Sequence, residues 1–198
     1  MPADRSSAPI PLKIVIAGGF GVGKTTLVRS VSEIPPLSTE ETLTVASVGV
    51  DDLRAVPDKT TTTVAMDFGR ITVDESLILY LFGTPGQDRF WFMWDELARG
   101  AVGGVVLLDL RRIEDSFAAV DYFESRHVPF VVALNAFPDA DRFRPEEVHA
   151  ALELRPDVPV VSMDARDRAS CIATIVRLVE HALDRSTVVQ FPGPVRLS

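Results

Sequence analysis

Residues 12–25 read Leu12-Lys13-Ile14-Val15-Ile16-Ala17-Gly18-Gly19-Phe20-Gly21-Val22-Gly23-Lys24-Thr25. A short apolar run ends in glycines, and the residues after it, 24–33, carry helical spacing until Pro35-Pro36 stop it. A strand, a glycine turn and a helix form the context in which G-x-x-x-x-G-K-[ST], here Gly18 to Thr25, has a chemical meaning. Glycines let successive backbone N–H groups turn inward as an anion nest, and the following helix points its positive end at the same place. Lys24 then reaches the outer phosphates of a nucleotide, and the Thr25 hydroxyl is suited to ligate Mg²⁺. Phe20, Gly21, Val22, Gly23 and Thr26 complete the expected phosphate-binding stretch. The chain has only three lysines, Lys13, Lys24 and Lys59, so lysine abundance does not explain the match.

Outward from that stretch the pattern alternates. Residues 62–72 and 77–82 are β-rich and flank Val73-Asp74-Glu75-Ser76, which predicts an antiparallel hairpin. Apolar runs at 102–108, 128–134 and 158–162 alternate with helical patterns at 88–99, 114–126, 145–153 and 168–184. Right-handed crossovers then give an α/β three-layer sandwich: a mostly parallel six-stranded sheet with one antiparallel strand and helices on both faces. Ligands of such sheets bind at the carboxyl ends of strands, where the glycine turn lies. Residues 35–61 have no strong period and predict a long loop with room for one short element. The ends, 1–10 and 185–198, read as loosely held around one domain spanning 11–184.

Composition narrows the function. The 198 residues are 46% hydrophobic, enough for one domain with its own core. With 20 basic and 28 acidic residues the net charge is −8, which argues against nucleic acid as a partner. The single cysteine, Cys171, forms no internal disulfide and suits a reducing cytosol, and its place in the last helical pattern predicts a small buried hydrophobe. His127, His149 and His181 lack metal-ligand spacing and read as structural or solvated. No window reaches the ~18 apolar residues of a spanning helix. Neither Pro2 after Met1 nor the C-terminal sequence PGPVRLS offers a lipidation signal. The expectation is a cytoplasmic protein without direct membrane insertion, any membrane contact going through a partner.

A second motif, Phe82-Gly83-Thr84-Pro85-Gly86-Gln87, follows the third expected strand. A glycine amide there can sense a γ-phosphate and a glutamine can orient an attacking water. Taken alone it is a Pro-Gly turn. The order of P-loop, long Thr-bearing loop, hairpin and Gly-Gln turn resembles a Ras-like small GTPase over about residues 12–184. More closely, Lys59-Thr60-Thr61-Thr62-Thr63-Val64-Ala65-Met66-Asp67-Phe68-Gly69, then LYLFGTPGQDRFWFMWDELARGAVGGVVLLD and VDYFESRHVPFVVALN, resemble the D-type GTPases of actinobacterial conservon operons. That group lies among the bacterial Ras-like proteins that include the MglA-type polarity GTPases. The resemblance implies a nucleotide switch that binds GTP and GDP with Mg²⁺ and hydrolyses GTP slowly. It also implies a roadblock-domain protein and a sensor-kinase-like membrane protein as partners, with the chain a monomer or weak homo-oligomer.

Carried over by position, Gly18, Gly23, Lys24 and Thr25 hold phosphate and Mg²⁺. Thr63, ahead of the second expected strand in a T-x-x-x-D pattern, is the switch threonine, with Thr60 to Thr62 as rivals. Gly86 and Gln87 align with the γ-phosphate glycine and the water-orienting glutamine. Asn135 stands for the Asn of N-K-x-D, and Asp164-Ala165-Arg166 takes the place of S-A-K, its Ala165 amide facing the purine oxygen. Four positions depart from the pattern. Gly83 replaces the Mg²⁺-holding aspartate of D-x-x-G, for which Asp67 on the adjacent strand is either a substitute or a surface aspartate. Phe20 stands where glycine is favoured and hinders the approach to the γ-phosphate. Asn135-Ala136-Phe137-Pro138 lacks both the lysine and the aspartate of N-K-x-D, leaving Asp139 as the nearby carboxylate. An arginine expected just before the switch threonine is Thr62, so one would come from Arg54, Arg89 or a partner. The aromatic run Phe90-Trp91-Phe92-Met93-Trp94 is too broad for one helix face to bury and suggests a partner surface. Two other functions fit the same motif: a non-hydrolysing pseudo-GTPase scaffold, and a P-loop ATPase or kinase with a different base preference.

Overall fold

The structure, a computed structural model, describes residues 8–35, 37–44, 61–86, 93–138 and 144–189. Strand β1 (Ile10–Ala17) is its axis. Ile14 to Ala17 are fully enclosed, as the unbroken apolar run requires of a strand covered on both faces. Six more strands join it: β2 (Leu37–Thr44), β3 (Thr61–Asp74), β4 (Leu77–Gly83), β5 (Ala101–Leu108), β6 (Phe130–Asn135) and β7 (Val160–Met163). They form one sheet ordered β2-β3-β4-β1-β5-β6-β7. β1 lies parallel to β4 and β5, and β6 and β7 continue in parallel. β3 is antiparallel to both its neighbours and is the one strand that runs against the rest.

All six expected strands are therefore in place, and the sheet gains a seventh. β2 falls inside 35–61, where hydropathy predicts a loop. Its sequence, LSTEETLT, has no apolar face to detect; it is held by its pairing with β3, from Leu37 opposite Phe68 to Thr44 opposite Thr61. The same pairing extends β3 to 14 residues. At the hairpin, Asp74 accepts hydrogen bonds from the Ser76 amide and hydroxyl, both at 2.7 Å, which closes the expected turn.

Helices cover both faces. α1 (Lys24–Val31) and α5 (Arg168–Val189) pack on one; α2 (Trp94–Ala98), α3 (Phe117–Ser125) and α4 (Pro145–Ala151) pack on the other. α1 buries Lys24, Leu27, Val28 and Val31, a helical stripe with Lys24 at its phosphate-loop end. α5 runs five residues beyond the tail boundary expected at 184. The helix expected over 114–126 is preceded by a 3₁₀ turn, Leu110–Ser116. Of the aromatic run, Trp94 is buried and meets Tyr122 edge to face at 5.2 Å, whereas 90–92 lie outside the described residues. Cys171 is buried as expected. Among the described residues no helix is long and apolar enough to cross a membrane.

Candidate nucleotide-binding site

The loop from Gly18 to Gly23 leaves β1 at the carboxyl edge of the sheet. Gly18, Gly21 and Gly23 have φ of 132°, 73° and 108°, a region that side-chain-bearing residues avoid. Lys24 opens α1 and is 8% exposed. Its Nζ donates to the carbonyls of Gly18 at 2.8 Å and Gly19 at 2.7 Å, so its charge sits within the curve of its own loop. Burial lowers its pKa from 10.5 to about 8, against the opposing pull of the Asp67 carboxylate. The turn from the second motif closes over this loop. A Cβ on Gly86 would lie 2.8 Å from Lys24 Nζ and 2.9 Å from Phe20 Cα, so only glycine permits this approach. Phe20, Lys24, Thr25, Asp67, Thr84 and Gly86 border a cavity of about 330 Å³, with Thr26 also on its wall. The Phe20 side chain stands at this rim, 68% exposed.

The side of the site around Thr25 is built from two elements. Thr25 Oγ1 donates to Asp67 Oδ2 at 2.5 Å, which places the first threonine of α1 against β3. Gly83 makes that possible: a Cβ there would be 3.1 Å from the Asp67 Cβ. A half-buried carboxylate from the neighbouring strand thus occupies the space beside position 83. Thr84 adds a hydroxyl that is 3% exposed and has no hydrogen-bond partner among the described residues. Hydroxyl and carboxylate oxygens together form a hard donor set that fits Mg²⁺. Thr63, expected before the second strand, lies within β3 opposite Thr42, four positions from Asp67, or roughly 13 Å along an extended strand. A run of β-branched threonines favours that extension.

On the opposite side Asn135 ends β6 and is buried. Its Nδ2 donates to the Val22 carbonyl at 2.9 Å, and its Oδ1 accepts from the Ala165 amide at 2.9 Å. The side chain therefore braces the phosphate loop against the β7–α5 connection. The Ala165 amide, expected to face a purine oxygen, donates to this side chain. Asp164 and Arg166 pair with each other, Nε to Oδ1 at 2.9 Å and Nη2 to Oδ2 at 2.8 Å. These hydrogen bonds hold the Asp164 carboxyl below the usual carboxylate range. Phe137 carries the Arg111 guanidinium over its ring at 4.1 Å. Arg111 in turn is held by both oxygens of the buried Asp109.

One residue near the loop was not anticipated from sequence. Arg112 Nη2 donates to the Phe20 carbonyl at 3.0 Å. Gln87, Thr60, Arg54, Arg89 and Asp139 lie outside the described residues.

A glycine nest between a strand and a helix, an inward-turned lysine, and a glycine turn closing on both define a P-loop nucleotide-binding domain of Ras-like architecture. The chain belongs to the family described as "Conserved hypothetical ATP binding protein", whose model matches residues 16–185. An uncharacterized protein of Methanocaldococcus jannaschii is 29% identical over 126 residues, 63% of this chain and 69% of that protein. Ras-related protein Rab-7b of Homo sapiens is 25% identical over 188 residues, 89% of this chain and 84% of that protein. Among solved structures, the cytosolic domain of the T. maritima FeoB iron transporter in a GDP form shares the fold, with a TM-score of 0.62 and 18% identity. The match covers 89% of this chain and spans 65% of that one.

Proposed function

We propose that this chain is a nucleotide-dependent switch that binds guanine nucleotides with Mg²⁺ and hydrolyses the triphosphate slowly. The observation that carries this reading is the contact of Gly86 with Lys24 and Phe20. The turn leading to Gln87 rests on the group that neutralises the outer phosphates, so the number of phosphates bound bears directly on the position of that turn. Nest amides and Lys24 bind the phosphates; Gln87 orients the attacking water; Phe20 at the rim obstructs that approach and keeps turnover low. Thr25 and Asp67 would hold Mg²⁺, which when bound neutralises charge on the outer phosphate oxygens. Similarity to Rab-7b and to a domain captured in a GDP form supports guanine as the base. A roadblock-domain protein and a sensor-kinase-like membrane protein are the proposed partners, and the cytoplasm the proposed location.

A second base has an observation in its favour. Ala136 and Pro138 replace the lysine and carboxylate that select guanine, and the family description names ATP. Titration of fluorescent GDP, GTP and ATP with and without Mg²⁺, beside a Lys24→Ala control, decides between them. Guanine binding that needs Mg²⁺ and Lys24 supports the switch, and preference for ATP replaces the base. Lack of micromolar affinity for all three leaves a Ras-shaped scaffold. Phe20→Gly separates the remaining alternatives, since an obstructed hydrolase speeds up and a scaffold does not respond.

A further inference from the structure

Arg112 lies at a kink in the 3₁₀ turn after β5, where φ is −147° and ψ is 58°. Its guanidinium reaches the outer rim of the phosphate loop, donating to the Phe20 carbonyl and standing 3.8 Å from the place a Cβ on Gly21 would occupy. The turn is docked there by close packing, for a Cβ on Gly19 would lie 2.7 Å from that of Asp115. Two acids face the guanidinium at ion-pair rather than hydrogen-bond distance: Asp115 at 3.5 Å and Asp109 at 3.7 Å. Asp109 spends its short bonds on Arg111. With five donors and a side chain 45% exposed, Arg112 makes one short bond among the described residues, to a neutral carbonyl. The residue it touches is the one whose backbone meets Gly86, at the end of the loop that closes on the terminal phosphate.

We infer that Arg112 is the second cation of this phosphate site, exchanging the Phe20 carbonyl for an oxygen of the terminal phosphate when a nucleoside triphosphate is bound. This rests on the nucleotide reading above. A guanidinium bonds a phosphate oxygen about twice as strongly as a neutral acceptor, so the exchange is favourable. The charges agree: a nucleoside triphosphate carries about four negative charges, of which Mg²⁺ and Lys24 offset about three. A diphosphate places no oxygen at that end of the loop and leaves Arg112 on Phe20. The chain thus supplies from its own 3₁₀ turn the arginine that its switch region lacks at Thr62, and Arg112 distinguishes triphosphate from diphosphate.

The test compares wild type, Arg112→Ala and Arg112→Lys in binding GDP and a non-hydrolysable GTP analogue, with ATP counterparts in parallel. Melting temperatures establish that each variant is folded. Arg112→Ala is expected to lose about tenfold to a hundredfold in affinity for the triphosphate analogue and less than about threefold for the diphosphate. Arg112→Lys should fall between, because a single ammonium cannot replace the fork. Equal losses for both nucleotides would make Arg112 a brace of the loop and overturn the inference, as would no loss in either variant. If the wild type binds no nucleotide, the underlying reading fails first and this one with it.

Discussion

Replacing Asn135 by alanine tests whether this side chain is a structural brace, whatever base is bound. Its amide satisfies two backbone groups at once, the Val22 carbonyl and the Ala165 amide, each at 2.9 Å. Asn135 is 6%, Val22 3% and Ala165 2% exposed, so water does not readily replace the lost partner. Leaving a buried donor or acceptor unsatisfied costs about 1–3 kcal/mol, and two of them about 2–6 kcal/mol together. For a domain of this size that corresponds to a fall in melting temperature on the order of 5–15 °C. The assay is thermal or urea unfolding of wild type and Asn135→Ala, both stripped of nucleotide. A side chain serving only to contact a base would leave that measurement unchanged. A loss below about 0.5 kcal/mol, the range of an ordinary surface substitution, would refute the reasoning.

The remaining predictions concern the phosphate end. With the folded pKa of Lys24 near 8 against 10.5 unfolded, only the unfolded chain keeps this proton between those values. Its contribution to stability therefore rises with pH across that window by up to about 3 kcal/mol. Urea titrations of wild type and Lys24→Met at pH 7.5 and 10.5 should show the gap between them shift by that order, and a constant gap excludes the buried lysine as its source. Gly86→Ala puts a methyl group 2.8 Å from Lys24 Nζ and 2.9 Å from Phe20 Cα, which forces the turn off the loop. Single-turnover hydrolysis should fall at least about tenfold while the melting temperature stays within about 3 °C; undiminished turnover removes the turn from the mechanism. Asp67→Ala should abolish the Mg²⁺-dependent tightening of nucleotide binding, and adding Gly83→Asp in that background should restore part of it, as read by Mg²⁺ titration of a fluorescent nucleotide. Failure of the second change to restore anything means the two positions do not share one space.

Features written in local chemistry were legible in the chain. Gly18 to Thr25 announces its conformation because glycine alone tolerates the positive φ found at 18, 21 and 23. The buried strands announce themselves by unbroken apolar runs. β2 does not, since its stability comes from backbone pairing along an edge and Ser, Thr and Glu leave no hydropathic mark. Asn135 stands in a motif position, but its buried partners come from loops more than 25 residues away in sequence. Arg112 carries no such mark. A basic pair after a strand reads as solvated, and only the pairing of β5 beside β1 brings that turn to the phosphate loop. Asp67 is legible as a candidate because antiparallel neighbours are expected there, and the structure places its side chain beside Gly83 and Thr25.

The carboxylate that faces Thr25 comes from the strand that runs against all the others, and this gives its position an unusual dependence. Side chains alternate along a strand, so a slip of one residue carries an entire set to the opposite face. Pairing of β3 with β4 is regular from Phe68 to Thr72 and then skips Val73 before resuming at Asp74. Val73 is an extra residue, 53% exposed, at the solvent end of the hairpin. Were it drawn into the ladder, every residue before it would shift by one, and Met66 or Phe68 would stand where Asp67 meets Thr25. That irregularity lies six residues from Asp67, roughly 20 Å along the strand. The position of the carboxylate proposed to hold Mg²⁺ is thus indexed from a surface bulge far outside the site, and the length of that hairpin arm is as much a part of the site as the acid it delivers.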